Sequence, residues 1–139
     1  MKDLLARFLD DCKDPIDIVF LLDGALKHVT ELAKYDRDNG IIFYRPGTSH
    51  RRSDGEALVW GEVNPDRTVL FYDTDMVEGN AMKEAKDYFE RLGYERERMF
   101  GYLKRGFSET SDGAQLMPID DLLTEGQKVY GLVREIGHM

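Results

Sequence analysis

Apolar positions along the chain follow two spacings, and the changes of spacing mark its elements. Leu4, Leu5, Phe8, Leu9 and Cys12 recur every three to four residues, which predicts an amphipathic helix stopped by Asp14-Pro15. Ile16 to Leu22 is a nearly continuous apolar run broken by Asp17, the pattern of a strand buried on both faces of a parallel sheet. Asp23-Gly24 marks a turn. Leu26, Val29, Leu32 and Ala33 then line one face of a second helix, ending near Asn39-Gly40.

Ile41 to Tyr44 predicts a short strand that Arg45-Pro46-Gly47 breaks. Residues 46–56 carry no core-forming apolar residue and are too long for a mere connector, so they are expected to form a solvated loop. Ala57 to Trp60 is a further short strand, Asn64-Pro65-Asp66 a turn, and Thr68 to Tyr72 the strongest strand pattern of all. Gly79 opens a helix with Ala81, Met82, Ala85, Phe89 and Leu92 on one stripe, and Gly93 closes it. Met99 to Leu103 reads as a strand and residues 105–114 as a polar loop. Met117-Pro118 begins a turn or short helix, and Val129 to Val133 is a last strand or helix. This order predicts an α/β fold, a mainly parallel sheet flanked by helices with right-handed crossovers.

Composition narrows the picture. The 139 residues fit a single domain over 1–139, with 42% hydrophobic and 33% charged residues. A formal net charge of -8 argues against general nucleic-acid binding. Cys12, the only cysteine, falls on the apolar face of the first helix and reads as a core or half-buried residue. No apolar run approaches the ~20 residues of a membrane span, and the start carries Lys2, Asp3 and Arg7, so a cytoplasmic protein without membrane contact is expected.

The chemistry concentrates where the strongest strand ends. Asp73 and Asp75 follow it directly, at the crevice where open α/β sheets bind ligands. Two carboxylates there can hold a divalent cation such as Mg2+, orient sugar hydroxyls or take a proton; they can also be turn and capping residues.

With these elements in order, residues 14–104 resemble the type I phosphoribosyltransferase superfamily. In that family a strand of apolar residues runs into two acids that bind ribose hydroxyls. A hydroxyl-rich, glycine-containing turn then holds the 5'-phosphate at a helix N-terminus. The resemblance implies a phosphoribosyl-binding segment of Asp73, Thr74, Asp75, Glu78, Gly79 and Asn80, with Asp73 and Asp75 as catalytic and metal-binding candidates. Leu22-Asp23-Gly24-Ala25 is similar to the pyrophosphate loop of the hypoxanthine-type enzymes, assigning Asp23, Gly24 and Ala25 to it. Residues 46–56, with His50, Arg51 and Arg52, fall where the family carries its flexible loop. The implied ligand is a small nucleotide or sugar phosphate, the implied cofactor Mg2+, and the implied assembly a homodimer.

The departures from the family pattern are specific. Thr74 replaces the second acid, Val77 a base-contacting acid, Glu78 a phosphate-binding hydroxyl, Ala81 a later hydroxyl, and Asp23 a common lysine. Like charges about 4 Å apart repel by ~4 kcal/mol at an effective dielectric near 20, enough to offset several phosphate hydrogen bonds. These substitutions point to a non-catalytic or repurposed binding or assembly module, with Glu78 expected to fill the phosphate cradle as an internal mimic. The alternative is an active Mg2+-dependent transferase acting on a nucleobase, with Arg45, Arg51 or Arg52 compensating for the acids. A weaker alternative takes Asp73-Thr74-Asp75 as the nucleophile motif of a haloacid-dehalogenase-type phosphatase. His28 is expected to be a structural histidine on the second helix, and Trp60, Tyr44 and Tyr72 to be core. His138 near the chain end carries no signal, and no transition-metal site is indicated.

Overall fold

The computed structural model describes residues 3–35, 38–47, 56–108 and 113–137, without the side chains of residues 32–35 and 133–137. His50, Arg51, Arg52 and His138 lie outside them. Helix α1 is Leu4–Asp11, with Asp3 capping it by accepting from the Ala6 N–H. Strand β1 (Asp17–Leu21) leads into a 3-10 helix, Leu26–Tyr35, then β2 (Gly40–Arg45), β3 (Leu58–Trp60) and β4 (Val69–Asp73). Helix α2 is Asn80–Arg91, β5 Met99–Leu103, β6 Gln115–Pro118 and α3 Ile119–Gly137.

The six strands form one sheet in the order β3-β2-β1-β4-β5-β6. The central four are parallel, and β3 and β6 add antiparallel edges. Every residue of β1 is buried because both faces of the sheet are covered. On one face Val19, Ile42, Phe71, Met82, Phe89, Met99 and Leu122 pack under α2 and α3. On the other, Leu5, Leu9, Ile18, Phe20, Leu70 and Tyr72 pack under α1 and the 3-10 helix. The mainly parallel α/β architecture read from the pattern is the one observed.

Three elements differ from expectation. The second helix is 3-10 rather than α. Met117-Pro118 ends a strand, and α3 begins directly after it at Ile119; as an edge strand, β6 tolerates a proline that cannot donate to a ladder. Trp60 is 47% exposed on edge strand β3, whereas Tyr44 and Tyr72 are fully buried as expected. The last helix absorbs the Val129–Val133 segment. Cys12 is half-buried at the end of α1, and burial raises its thiol pKa, with Asp11 adding to the effect.

Candidate functional site

Because β1, β4 and β5 run parallel, their C-terminal ends emerge side by side at one edge. The turn after β1 spans Leu22 to Ala25, with a cis Leu22–Asp23 peptide. The Ala25 N–H reaches back to the Leu21 carbonyl at 3.0 Å, and the Leu26 N–H to that of Asp23 at 3.1 Å. A side chain on Gly24 would begin 3.8 Å from Asp73 Oδ1 and 3.9 Å from Thr74 Oγ1, so the turn lies directly against the end of β4. The fold thus brings Asp23, Gly24 and Ala25 to Asp73 and Thr74, from segments 50 residues apart.

Asp73 closes β4 and is half-buried. Its Oδ1 accepts the Thr74 N–H at 2.8 Å. Burial pushes its carboxyl up to about 7; the Thr74 bond opposes this, and the charge of Asp75 adds to it. That has a sign in stability. An unfolded Asp ionises near 3.8, so as pH rises from there to about 7 the unfolded chain loses a proton that the folded chain keeps, and stability falls. A shift of this size, discounted for partial solvent screening, corresponds to about 2 kcal/mol. Asp73→Asn is therefore expected to stabilise the protein by about 2 kcal/mol at pH 8 and hardly at all at pH 4, as urea midpoints at both values would register. A gain that does not grow with pH would contradict the assignment.

Thr74 is 8% exposed and turned inward. Its hydroxyl donates to the Gly24 carbonyl at 3.0 Å and lies 3.1 Å from His28 Nε2. Beyond it Asp75, Val77, Glu78 and Asn80 are exposed in the turn that leads to α2, while Met76 is buried under α3. Gly79 precedes α2 with φ +85, a left-handed conformation that suits glycine. A Cβ on Gly126 of α3 would collide with the Met76 methyl, which shows how closely α3 covers this turn.

Glu78 makes two side-chain hydrogen bonds. One carboxylate oxygen accepts from Asn80 Nδ2 at 2.8 Å and the other from the Tyr130 hydroxyl of α3 at 3.0 Å. Its charge stands beside the helix start, but its hydrogen bonds go to these side chains.

The pattern reading missed the polar group beneath this edge. Lys104, the first residue past β5, bonds Glu31 and lies 3.3 Å from His28 Nδ1, while Tyr72 donates to Glu31 at 3.3 Å. Its one sequence signal is position: Leu103 pairs with Asp73, so Lys104 emerges at the same edge. His28 is indeed buried, packed 5.8 Å from the Tyr72 ring. Among the described residues no group of three or more His, Cys, Asp or Glu could hold a metal. Asp73 and Asp75 are two carboxylates, so a Mg2+ ion bound there would need water and ligand oxygens to complete its shell.

Strand order, parallel core and loop placement define a type I phosphoribosyltransferase-like fold. Solved structures that share it include two phosphoribosyltransferases. One is a hypoxanthine phosphoribosyltransferase from Staphylococcus aureus, with a TM-score of 0.57 and 16% identity over 75% of this chain and 59% of that one. The other is the APRTase of Giardia lamblia complexed with 9-deazaadenine, with a TM-score of 0.57 and 12% identity over 92% of this chain and 69% of that one. The chain thus spans well short of the full length of either. No family model and no curated protein matches the sequence.

Proposed function

We propose that the chain is a phosphoribosyltransferase-fold binding or assembly module whose phosphoribosyl pyrophosphate site has been altered. The observation that carries this reading is the orientation of Thr74. At the place of the second ribose-binding acid stands a hydroxyl that is buried and spent on the Gly24 carbonyl. The exposed carboxylates of Asp23 and Glu78 support it further, since each stands at a loop that holds phosphate in the family. Replacing both should relieve that repulsion. Asp23→Lys with Glu78→Thr is expected to tighten binding of phosphoribosyl pyrophosphate with Mg2+ at least about tenfold, about 1.4 kcal/mol, in a calorimetric titration. No gain over the unaltered protein would sink the reading.

A second reading, an active Mg2+-dependent transferase on a nucleobase, is favoured by Asp73. A desolvated carboxylate that costs stability is what a ligand site retains. Base-dependent release of pyrophosphate, lost in Asp73→Ala, would establish it. The haloacid-dehalogenase-type phosphatase draws no support from the fold neighbours.

A homodimer belongs to the same proposal. Ile41, Leu58 and Trp60 are exposed on β2 and the edge strand β3, and light scattering would read the mass. Cytoplasmic residence and a role in nucleotide metabolism are part of it too. No helix among the described residues is long and apolar enough to cross a membrane.

A further inference from the structure

We propose that His28 is the positioning residue of the Leu22–Ala25 turn, linking the Lys104 ammonium through the Thr74 hydroxyl to the Gly24 carbonyl. The chemistry of each member fixes its direction. A lysine ammonium only donates, so in the 3.3 Å contact with Lys104 the acceptor is His28 Nδ1, which the Glu31 carboxylate also faces, at 3.6 Å. The imidazole is then neutral with its proton on Nε2, which donates to Thr74 Oγ1 at 3.1 Å. That leaves the Thr74 proton for the Gly24 carbonyl at 3.0 Å. Lys104 is held in turn by Glu31, which also accepts from Tyr72. Four segments are thereby locked together: the end of β5, the 3-10 helix, the end of β4 and the turn after β1.

The consequence concerns Thr74. A carboxylate there would face the Gly24 carbonyl oxygen with no proton to offer and would push the turn away. The hydroxyl instead draws the turn onto β4, beside Asp73. The substitution that removes a ribose-type acid also supplies the anchor of the neighbouring turn. That this turn meets a ligand rests on the proposed function; the relay itself does not.

Protonation of His28 places a proton on Nδ1 against Lys104 and breaks the chain at its first link. The charged and titratable groups facing the imidazole are Lys104 from β5, Lys27 and Glu31 from its own segment, and Tyr72 from β4. Burial holds His28 below the ordinary histidine value of 6.5, Lys104 and Lys27 reinforcing this and Glu31 opposing it. The relay is therefore intact at neutral pH and opens on acidification.

Nitrogen-15 NMR of the full chain tests this without any ligand. At about pH 7.5 the His28 ring, assigned by its loss in His28→Gln, should show the neutral tautomer protonated on Nε2. The Gly24 and Ala25 amides should show a step at the His28 midpoint, below 6.5, separate from that of the neighbouring Asp73 carboxyl at about 7. In His28→Gln, whose amide can both accept from Lys104 and donate to Thr74, the turn should keep its native shifts and lose that pH response. In His28→Phe and in Thr74→Val, exchange of the Ala25 and Leu26 amides should quicken about tenfold while Phe71 in the sheet stays protected. A ring protonated on Nδ1, or unchanged turn amides in Thr74→Val, would overturn the proposal. Both remain decisive if His28→Phe does not fold. A protein that binds no phosphoribosyl ligand at all leaves these results untouched, so the two failures are distinguishable.

Discussion

Asp17→Ala is expected to cost about 3 kcal/mol of folding stability, because it removes the acceptor of four hydrogen bonds at once. Asp17 lies at the start of β1 with no exposed surface. Its Oδ2 accepts from the Tyr94 hydroxyl at 2.6 Å and the Asn64 N–H at 3.0 Å, and its Oδ1 from Arg67 Nη1 and Asn64 Nδ2, both at 3.3 Å. Gly40 on β2 fits against it because a Cβ there would collide with Oδ1. Burial first, and the bond to Asp17 next, push the Tyr94 hydroxyl pKa upward, so Tyr94 stays a donor throughout the physiological range. Asp17→Asn keeps the shape and removes the charge, and should cost about half as much. Urea unfolding of the two variants gives the measurement. A loss below about 1 kcal/mol for the alanine variant would mean that water replaces the carboxylate without penalty.

Phe89→Ala is expected to cost about 3–5 kcal/mol, the ordinary penalty for emptying a core aromatic site. Phe89 is fully buried on α2. Its ring lies 5.4 Å from Phe71 at 77°, 5.8 Å from Tyr44 at 68° and 5.5 Å from Tyr94 at 60°. These are edge-on and tilted contacts, each contributing beyond the area it buries. The site sits between two polar anchors: Tyr44 donates to Glu84 at 2.6 Å and Tyr94 to Asp17. With those hydroxyls tied down the rings cannot collapse into the space, so the cost should fall at the upper end of the range. Phe89→Leu, which retains most of the volume, should cost under about 1.5 kcal/mol. Equal losses in the two variants would contradict this, because the volume that leucine retains would then restore nothing.

The sequence displayed those parts of the fold whose cause is local. β1, β4 and β5 are continuous apolar runs because both faces of the sheet are covered, and α2 announces itself by its stripe and by Gly79 and Gly93. Parallel strands ending at one edge made Asp73 the place to look, and the turn after β1 does lie against it. Short edge strands were harder. Gln115–Pro118 has too few residues to show a period, and the exposure of Trp60 depends on β3 being an edge. Side-chain pairing was not legible at all. His28 meets Thr74 across 46 residues and Lys104 across 76, and Asp17 meets Tyr94 across 77. Nothing near His28 distinguishes a relay from a core histidine, and nothing near Thr74 says that its hydroxyl faces inward. Those orientations follow from the sheet order, which brings distant strand ends to a common edge.

The altered site is tested most directly by titrating the unmodified protein with phosphoribosyl pyrophosphate and Mg2+ in a calorimeter. With Thr74 turned to Gly24 and carboxylates at Asp23 and Glu78, no binding tighter than millimolar is predicted. A micromolar dissociation constant that weakens in Asp73→Ala and Asp75→Ala would contradict it and restore the transferase.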